Sequence, residues 1–255
     1  MTKKTFGWMA GLCGWLFKFE GFSYKARYLR KKGDKKKFDA YVQERVNHLS
    51  LAVEQKAGLT YTIEGKEKIP SSGPVVYACN HQSIFDTTAV VRTSRDLPGF
   101  IMKHQLRMIP LTRLWFSFFD CVYVNRKDKE SSHKAYETSV QNLKNGRSMA
   151  IFMEGTRSRD EKHKLGKFKT GAFRMAMEAG VPLVPVIICG TSKAFEDTGE
   201  IVSAMGKVKV LDPIMIPKMD FDDLEDFIKD FREKYEDEYE DVFEEVEDMN
   251  KNFNR

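Results

Sequence analysis

A histidine and an aspartate lie five positions apart in the segment NHQSIFD, residues 80–86, between an apolar run and a predicted helix. Ser83 and Asp86 match a capping box, in which a serine begins the helix and an acid three residues later closes its first turn. If Asp86 also accepts a hydrogen bond from one nitrogen of His81, the other nitrogen can take a proton from a hydroxyl group. The helix start further offers N–H groups for a developing oxyanion. The segment is compatible with both a helix cap and a general base.

A second polar segment, FMEGTRS at residues 152–158, closes another apolar run and opens a basic loop that continues to residue 171. Gly155 permits a sharp turn after the strand. Thr156 and Arg157 supply a hydroxyl group and a planar set of donors that suit a phosphate. The alternative from this segment alone is an exposed basic loop in which Glu154 is structural.

Two further cations end predicted strands: Lys103 closes GFIMK and Arg126 closes CVYVNR. If these strands are parallel, both side chains belong to one edge of a sheet, although surface solvation explains each of them singly.

A metal site is not indicated, because the histidines are scattered. The four cysteines form no CxxC pair, which argues against a zinc site and a disulfide framework and favours a reducing compartment. The cysteines are Cys13, Cys79, Cys121 and Cys189.

These polar segments must be positioned by alternating strands and helices. A chain of 255 residues with 42% hydrophobic content can bury one large core. We predict an α/β fold with a mixed, largely parallel sheet flanked by helices and an N-terminal helical pair. The predicted strands are residues 59–65, 74–80, 99–103, 121–126, 148–154, 182–190 and 207–214. The predicted helices after the N-terminal pair are residues 83–94, 104–118, 131–145, 170–180 and 221–247.

The N-terminal region combines aromatic and basic residues. The apolar run from residue 6 to residue 17 is too short to span a bilayer, which needs about 20 residues. No A-x-A-like cleavage site follows it, which disfavours a signal peptide. With the basic stretch 24–38, the helical pair suits the headgroup region of an anionic membrane surface, and packing on the domain is an equal alternative. No nucleic-acid reader motif accompanies the basic stretch, so we expect no nucleic-acid partner.

We divide the chain into this helical motif, residues 1–57, and an α/β domain, residues 58–255.

Four segments in order resemble the glycerolipid acyltransferase family, represented by the 1-acylglycerol-3-phosphate acyltransferases. They are NHQSIFD, KHQLRMIP (103–110) with the downstream Arg126, FMEGTRS and GVPLVPV (180–186). The resemblance covers residues 74–190. The sequence departs from the family pattern at Met153, Asn125, Arg113 and Asp120, which bears on the choice of acceptor.

The resemblance implies transfer of a fatty acyl chain from acyl-CoA or acyl carrier protein to the free hydroxyl group of a lysophospholipid acceptor, 1-acylglycerol 3-phosphate. The product is phosphatidic acid for phospholipid synthesis, and no cofactor is implied. It implies His81 and Asp86 as the catalytic pair and a peripheral or monotopic enzyme on the cytoplasmic face of the cell membrane. The implied phosphate-binding residues are Lys103, Arg126, Glu154, Gly155, Thr156 and Arg157, with Asn80 and Ser83 in support. Glycerol 3-phosphate or another lysolipid remains an alternative acceptor, and a thioesterase or a non-catalytic lipid-binding protein remains an alternative function.

Overall fold

A seven-stranded sheet forms the centre of the computed structural model, which describes residues 5, 7, 11, 21–108, 110–158 and 164–253. The strands are β1 (Leu59–Glu64), β2 (Val76–Cys79), β3 (Gly99–Lys103), β4 (Val122–Val124), β5 (Met149–Phe152), β6 (Leu183–Cys189) and β7 (Ala204–Val210). Their order is β1-β7-β6-β2-β5-β3-β4, and every pairing is parallel except that of β6 with β7. The predicted mixed, largely parallel sheet is confirmed.

Helices cover both faces of this sheet. They are α1 (Lys35–Ala57), α2 (Asp86–Thr93), α3 (Pro110–Phe116), α4 (Lys129–Lys144), α5 (Gly171–Ala179) and α6 (Phe221–Phe253). Three 3₁₀ helices connect the elements, at Lys66–Lys68, His104–Met108 and Ser192–Ala194. The two faces bury separate apolar clusters because side chains alternate along each strand. Val76 and Ala78 of β2 therefore join one cluster, whereas Tyr77 and Cys79 join the other.

Several predicted boundaries are wrong. The helix predicted from residue 83 begins at Asp86, and the helix predicted over 104–118 is divided into a 3₁₀ helix and α3. The last strand lies at Ala204–Val210, earlier than predicted, because pairing with β1 and β6 selects the VKV segment and the residues before it. Periodicity alone did not locate that register.

The N-terminal helical pair is confirmed for the part of it that the structure describes. Residues 21–31 are helical and precede α1, whereas most of the predicted apolar helix, residues 6–17, lies outside the described residues. Helix α1 buries one stripe, including Phe38, Val42 and Val46, and ends at Ala57, where Gly58 with φ 73° caps it. Glycine is favoured there because the backbone is left-handed, and an added Cβ would also lie 2.4 Å from the side-chain oxygen of Ser203. Within the described ranges, no helix has the length and apolar character needed to cross a membrane.

The order β6-β2-β5-β3 brings four carboxyl ends to one edge of the sheet. These strands are mutually parallel, so the residues that follow them meet at that edge. The segment 80–86 follows β2, residues 153–158 follow β5, and Lys103 ends β3. The topology therefore assembles in space the polar segments that the sequence analysis identified separately.

Candidate active site

His81 and Asp86 form a hydrogen-bonded pair at the start of α2. The distance between His81 Nδ1 and Asp86 Oδ2 is 2.7 Å. A carboxylate can only accept, so Nδ1 is the protonated nitrogen and Nε2 is the basic one. The Asp86 side chain is fully buried, whereas that of His81 is 18% exposed. The aspartate therefore orients the ring and does not itself contact a ligand.

The carboxylate of Asp86 is held by three further donors. Oδ2 accepts hydrogen bonds from the backbone N–H groups of Gln82 at 2.6 Å and Ser83 at 2.8 Å. Oδ1 accepts one from the hydroxyl group of Thr191 at 2.5 Å, at the carboxyl end of β6. These donors satisfy a buried charge that would otherwise be costly, and they fix the carboxylate in one position. Thr191 was missed by the sequence analysis, because an isolated threonine after a buried strand carries no recognisable pattern.

One of the two hydrogen bonds of the predicted capping box is formed, because the N–H group of Ser83 donates to the carboxylate of Asp86 at 2.8 Å. The other is not, because the N–H group of Asp86 donates to the backbone carbonyl of Ser83 at 3.3 Å and not to its hydroxyl group. Ser83 Oγ accepts from the N–H group of Phe85 at 3.1 Å, and the side chain of Asp86, the first helical residue, reaches back to the preceding turn. The N–H group of Ile84 is also engaged, by Glu196 at 2.9 Å. The N–H groups of residues 82–85 are therefore all used within the protein and are not free for an oxyanion.

The ring of His81 forms part of the wall of an open cleft of about 370 Å³. It stacks on Phe152, with the ring centroids 3.9 Å apart and the planes inclined by 12°. Stacking and the bond to Asp86 together leave the imidazole little rotational freedom. The imidazole ring is thus held in one orientation at the wall of the cleft, with Nε2 as its basic nitrogen. A general base requires such a fixed position.

The same cleft gathers four of the predicted phosphate-binding residues: Lys103, Arg126, Thr156 and Arg157. Burial lowers the pKa of the Arg126 guanidinium from its ordinary value. In the part of the chain that the structure describes, neither Lys103 nor Arg126 takes part in an ion pair. Both side chains are exposed, and cations that lack a counter-ion favour an anionic ligand. The rest of the wall is largely apolar, including Ile84, Phe100, Ile101, Met102 and Leu106.

Glu154 and Gly155 lie behind this wall. Glu154 is buried, and its two oxygens accept from the N–H groups of His81 at 3.0 Å and Gly166 at 2.8 Å. Burial raises its pKa above the ordinary value of 4.5. Gly155 has φ 70°, and an added Cβ would lie 2.8 Å from Lys169 Nζ. Both residues were predicted to contact the substrate. This arrangement instead favours structural roles, because Glu154 ties the loop to the histidine and Gly155 makes the turn possible.

A further carboxylate, Glu196, links the turn before α2 to the loop that follows β5. It accepts from Arg157 at 2.6 Å, from Ser83 Oγ at 2.5 Å and from Ile84 N at 2.9 Å. Arg157 is thus held in place, but its charge is partly neutralised by this pair. The sequence analysis missed Glu196, since it lies in a loop with no periodicity or motif to distinguish it.

The polar groups beneath the site are satisfied from β6 and α6. Asn80 donates to the carbonyl of Ile188 and accepts from its N–H group, both at 2.8 Å, which ties the end of β2 to β6. The hydroxyl group of Tyr235 lies 3.0 Å from Asn80 Oδ1 and 2.8 Å from the carbonyl of Val186. Gln82 donates to Tyr239 at 2.6 Å in the same way. Asn80 is buried and supports the site from below.

Comparisons with known proteins fit this architecture. The family model described as Acyltransferase matches residues 60–189. The chloroplastic 1-acyl-sn-glycerol-3-phosphate acyltransferase of Arabidopsis thaliana is 37% identical over 150 residues, which cover 58% of this chain and 41% of that protein. A protein named as a probable 1-acyl-sn-glycerol-3-phosphate acyltransferase in Mycoplasma genitalium is 31% identical over 172 residues, covering 62% of each chain. The chain thus spans less than two thirds of the length of these relatives.

A solved structure shares the fold. The crystal structure of the 1-acyl-sn-glycerophosphate acyltransferase PlsC from Thermotoga maritima superposes with a TM-score of 0.76. It is 21% identical in sequence, and the match covers 92% of this chain and 95% of that one. The likeness therefore extends beyond the segment that the family model matches.

Proposed function

The chain belongs to the acyltransferase family, and on that premise we propose that it moves a fatty acyl chain from a thioester to the free hydroxyl group of 1-acylglycerol 3-phosphate. The product is phosphatidic acid, and the donor is acyl-CoA or acyl carrier protein. The family predicted from four ordered sequence blocks is confirmed. The names of the relatives from Arabidopsis thaliana and Mycoplasma genitalium support the choice of acceptor.

The reaction requires one base and no covalent enzyme intermediate. Nε2 of His81 removes the hydroxyl proton as the acceptor oxygen attacks the thioester carbonyl carbon. Collapse of the tetrahedral adduct breaks the carbon–sulfur bond, and the imidazolium returns its proton to the departing thiolate. Atoms and charge balance, since an ester and a free thiol replace an alcohol and a thioester. Asp86, 2.7 Å from Nδ1, stabilises the imidazolium between the two proton transfers.

The phosphate of the acceptor is bound by the cationic wall of the cleft. Lys103, Arg126 and Arg157 neutralise its charge, and the hydroxyl group of Thr156 adds a hydrogen bond. Holding the phosphate there confines the glycerol hydroxyl to the neighbourhood of His81, and such positioning lowers the barrier. The apolar part of the wall provides space for an acyl chain.

One observation carries this proposal: the free nitrogen of a fixed imidazole and three cations share a single cleft of about 370 Å³. A thioesterase would need the base but gives no role to the cations. A lipid-binding protein would need neither a buried aspartate nor a single histidine tautomer.

Product analysis tests the proposal. The purified protein is incubated with acyl-CoA or acyl carrier protein and with lysophosphatidate, glycerol 3-phosphate or other lysolipids, and products are identified by mass spectrometry. We expect phosphatidic acid, and we expect His81→Ala to reduce its formation about 10²- to 10⁴-fold. His133→Ala is the matched control, because that side chain is 72% exposed on α4.

Each alternative has its own result in this assay. Free fatty acid as the main product would replace the proposal with a thioesterase. No turnover with any thioester would favour a lipid-binding protein. Acylation of glycerol 3-phosphate or another lysolipid in preference to lysophosphatidate would keep the acyl transfer and change the acceptor.

We also propose that residues 1–57 attach the protein to an anionic membrane surface. Tyr24 and Tyr28 are 66% and 55% exposed, and each has a cationic side chain near its ring, which suits an interface of headgroups. The test replaces four of the exposed lysines, at positions 31, 32, 35 and 36, by glutamine and measures sedimentation with anionic vesicles, with phosphatidylcholine vesicles as the control. Each lysine near the surface contributes about 1 kcal/mol, so we expect clearly weaker sedimentation. Unchanged sedimentation would assign the helical pair to packing alone.

A further inference from the structure

A second cavity, of about 470 Å³, lies beside the edge strand β4. The 3₁₀ helix His104–Met108 separates it from the cleft of the active site. Leu106 lines the cleft, whereas His104 and Arg107 line the second cavity. One short helix thus contributes side chains to both, and the two cavities adjoin.

The second cavity carries unneutralised positive charge. Arg107 and Lys134 are on its wall, and within the described part of the chain neither one takes part in an ion pair. Asp120 also reaches the wall, but its carboxylate is paired with Arg147 at 2.9 Å. The cavity therefore attracts anions.

An enclosed hydroxyl group distinguishes this cavity from an ordinary basic surface. The oxygen of Tyr123, which also lines the cavity, is shielded from solvent and has no hydrogen-bond partner among the described residues. Buried hydroxyl groups are normally paired, and a small rotation of the Tyr123 side chain would let an oxygen-rich ligand in the cavity supply the partner. A ligand that reaches it must enter the cavity, which a large folded protein cannot do.

We propose that this cavity binds the adenosine phosphate end of a CoA thioester, an inference that rests on the proposed function. CoA carries its phosphates and its thioester at opposite ends of a flexible arm, so a CoA donor needs two adjoining sites. The volume lies within the range of about 300–1,000 Å³ typical of small-molecule sites. An acidic carrier protein would instead need about 800 Å² of open surface.

A binding experiment tests the site without acyl transfer. Adenosine 3′,5′-bisphosphate is titrated into the full-length protein by calorimetry. We expect binding to the wild type, and we expect Arg107→Gln with Lys134→Gln to weaken it about tenfold or more, as loss of charge-assisted hydrogen bonds does. Lys144→Gln is the control for Lys134→Gln, since it removes one positive charge from α4 outside the cavity.

Steady-state kinetics complete the test. In the double variant we expect the KM for acyl-CoA to rise about tenfold, and we expect the wild-type preference for acyl-CoA over acyl-3′-dephospho-CoA to shrink. Equal bisphosphate affinity in the wild type and the double variant would overturn the proposal, as would no binding at all. A KM that rises for acyl carrier protein, without bisphosphate binding, would assign the surface to the carrier protein instead. The protein could also bind the bisphosphate through Arg107 and Lys134 and yet catalyse no acyl transfer. That result would support the nucleotide site and refute the proposed function.

Discussion

Replacing Asp86 by asparagine isolates the charge of the buried carboxylate from its geometry. The asparagine oxygen can take the place of Oδ2, which accepts from His81 and from the N–H groups of Gln82 and Ser83. The amide nitrogen then faces the hydroxyl group of Thr191, which can accept. We therefore expect the free energy of unfolding to change by no more than about 1–2 kcal/mol.

The effect on the rate is expected to be large. Two unit charges about 4 Å apart interact by about 4 kcal/mol at an effective dielectric constant of about 20. The carboxylate gives this stabilisation to the imidazolium formed during transfer and not to the neutral ring before it. Removing it should lower kcat about 10²- to 10³-fold. The KM for the acceptor should change little, because Asp86 is fully buried and does not line the cleft.

The assay measures kcat and KM for both substrates, together with urea unfolding of each variant. Asp96→Asn is the matched control, because Asp96 accepts a hydrogen bond from Ser148 at 2.8 Å and lies outside the cleft. A folded Asp86→Asn protein that keeps more than about a tenth of the wild-type kcat would refute the role given to the carboxylate. A similar loss in Asp96→Asn would trace the effect to stability.

Three further predictions follow from contacts around the site. Tyr235→Phe removes the partner of Asn80, and we expect the free energy of unfolding to fall by about 1–3 kcal/mol in urea titrations; a smaller change would mean that water replaces the hydroxyl group. Glu196→Gln keeps its acceptor oxygen but releases the charge of Arg157, so the KM for the phosphorylated acceptor should fall about twofold to fivefold; a rise would show that the ion pair positions the arginine productively. Because burial raises the pKa of Glu154 above 4.5, its contribution to stability is fully present below pH 4.5 and is lost as the pH rises through the folded-state value. The unfolding free energy of the wild type relative to Glu154→Gln should therefore decrease as the pH rises above 4.5, and a difference that is constant or grows with pH would contradict the assigned shift.

Local sequence patterns predicted most of the elements but not all of their limits. Strand β3 and the start of α6 were placed to the residue, since short apolar runs and a clear helical stripe encode them. The start of α2 was placed three residues too early, because the hydroxyl group of Ser83 accepts from the N–H group of Phe85 and not from that of Asp86. Helix ends depend on such side-chain competition, which spacing alone does not reveal.

The residues of the site, like the limits of the elements, were predicted only in part. The residues His81, Lys103, Arg126, Thr156 and Arg157 were identified from strand ends and ordered motifs, and they do line one cleft. Their meeting could be expected from sequence because parallel strands share a carboxyl edge. Glu154 was assigned to substrate, although its carboxylate is used by backbone N–H groups from two segments. A carboxylate in a motif has the same sequence signature whether it faces a ligand or the interior.

The sequence by itself determined the fold class, the family and the histidine–aspartate pair, because these depend on short-range spacing and on the alternation of apolar runs along the chain. Only the tertiary structure decided which distant groups complete the site. Glu196 reaches Ser83, Thr191 reaches Asp86, and Tyr235 reaches Asn80, each across more than 100 residues. Such contacts are set by strand order and by the packing of α6 on the sheet. A single polar residue in a loop or on a helical stripe carries no periodic signal, so only the folded structure identifies its partner.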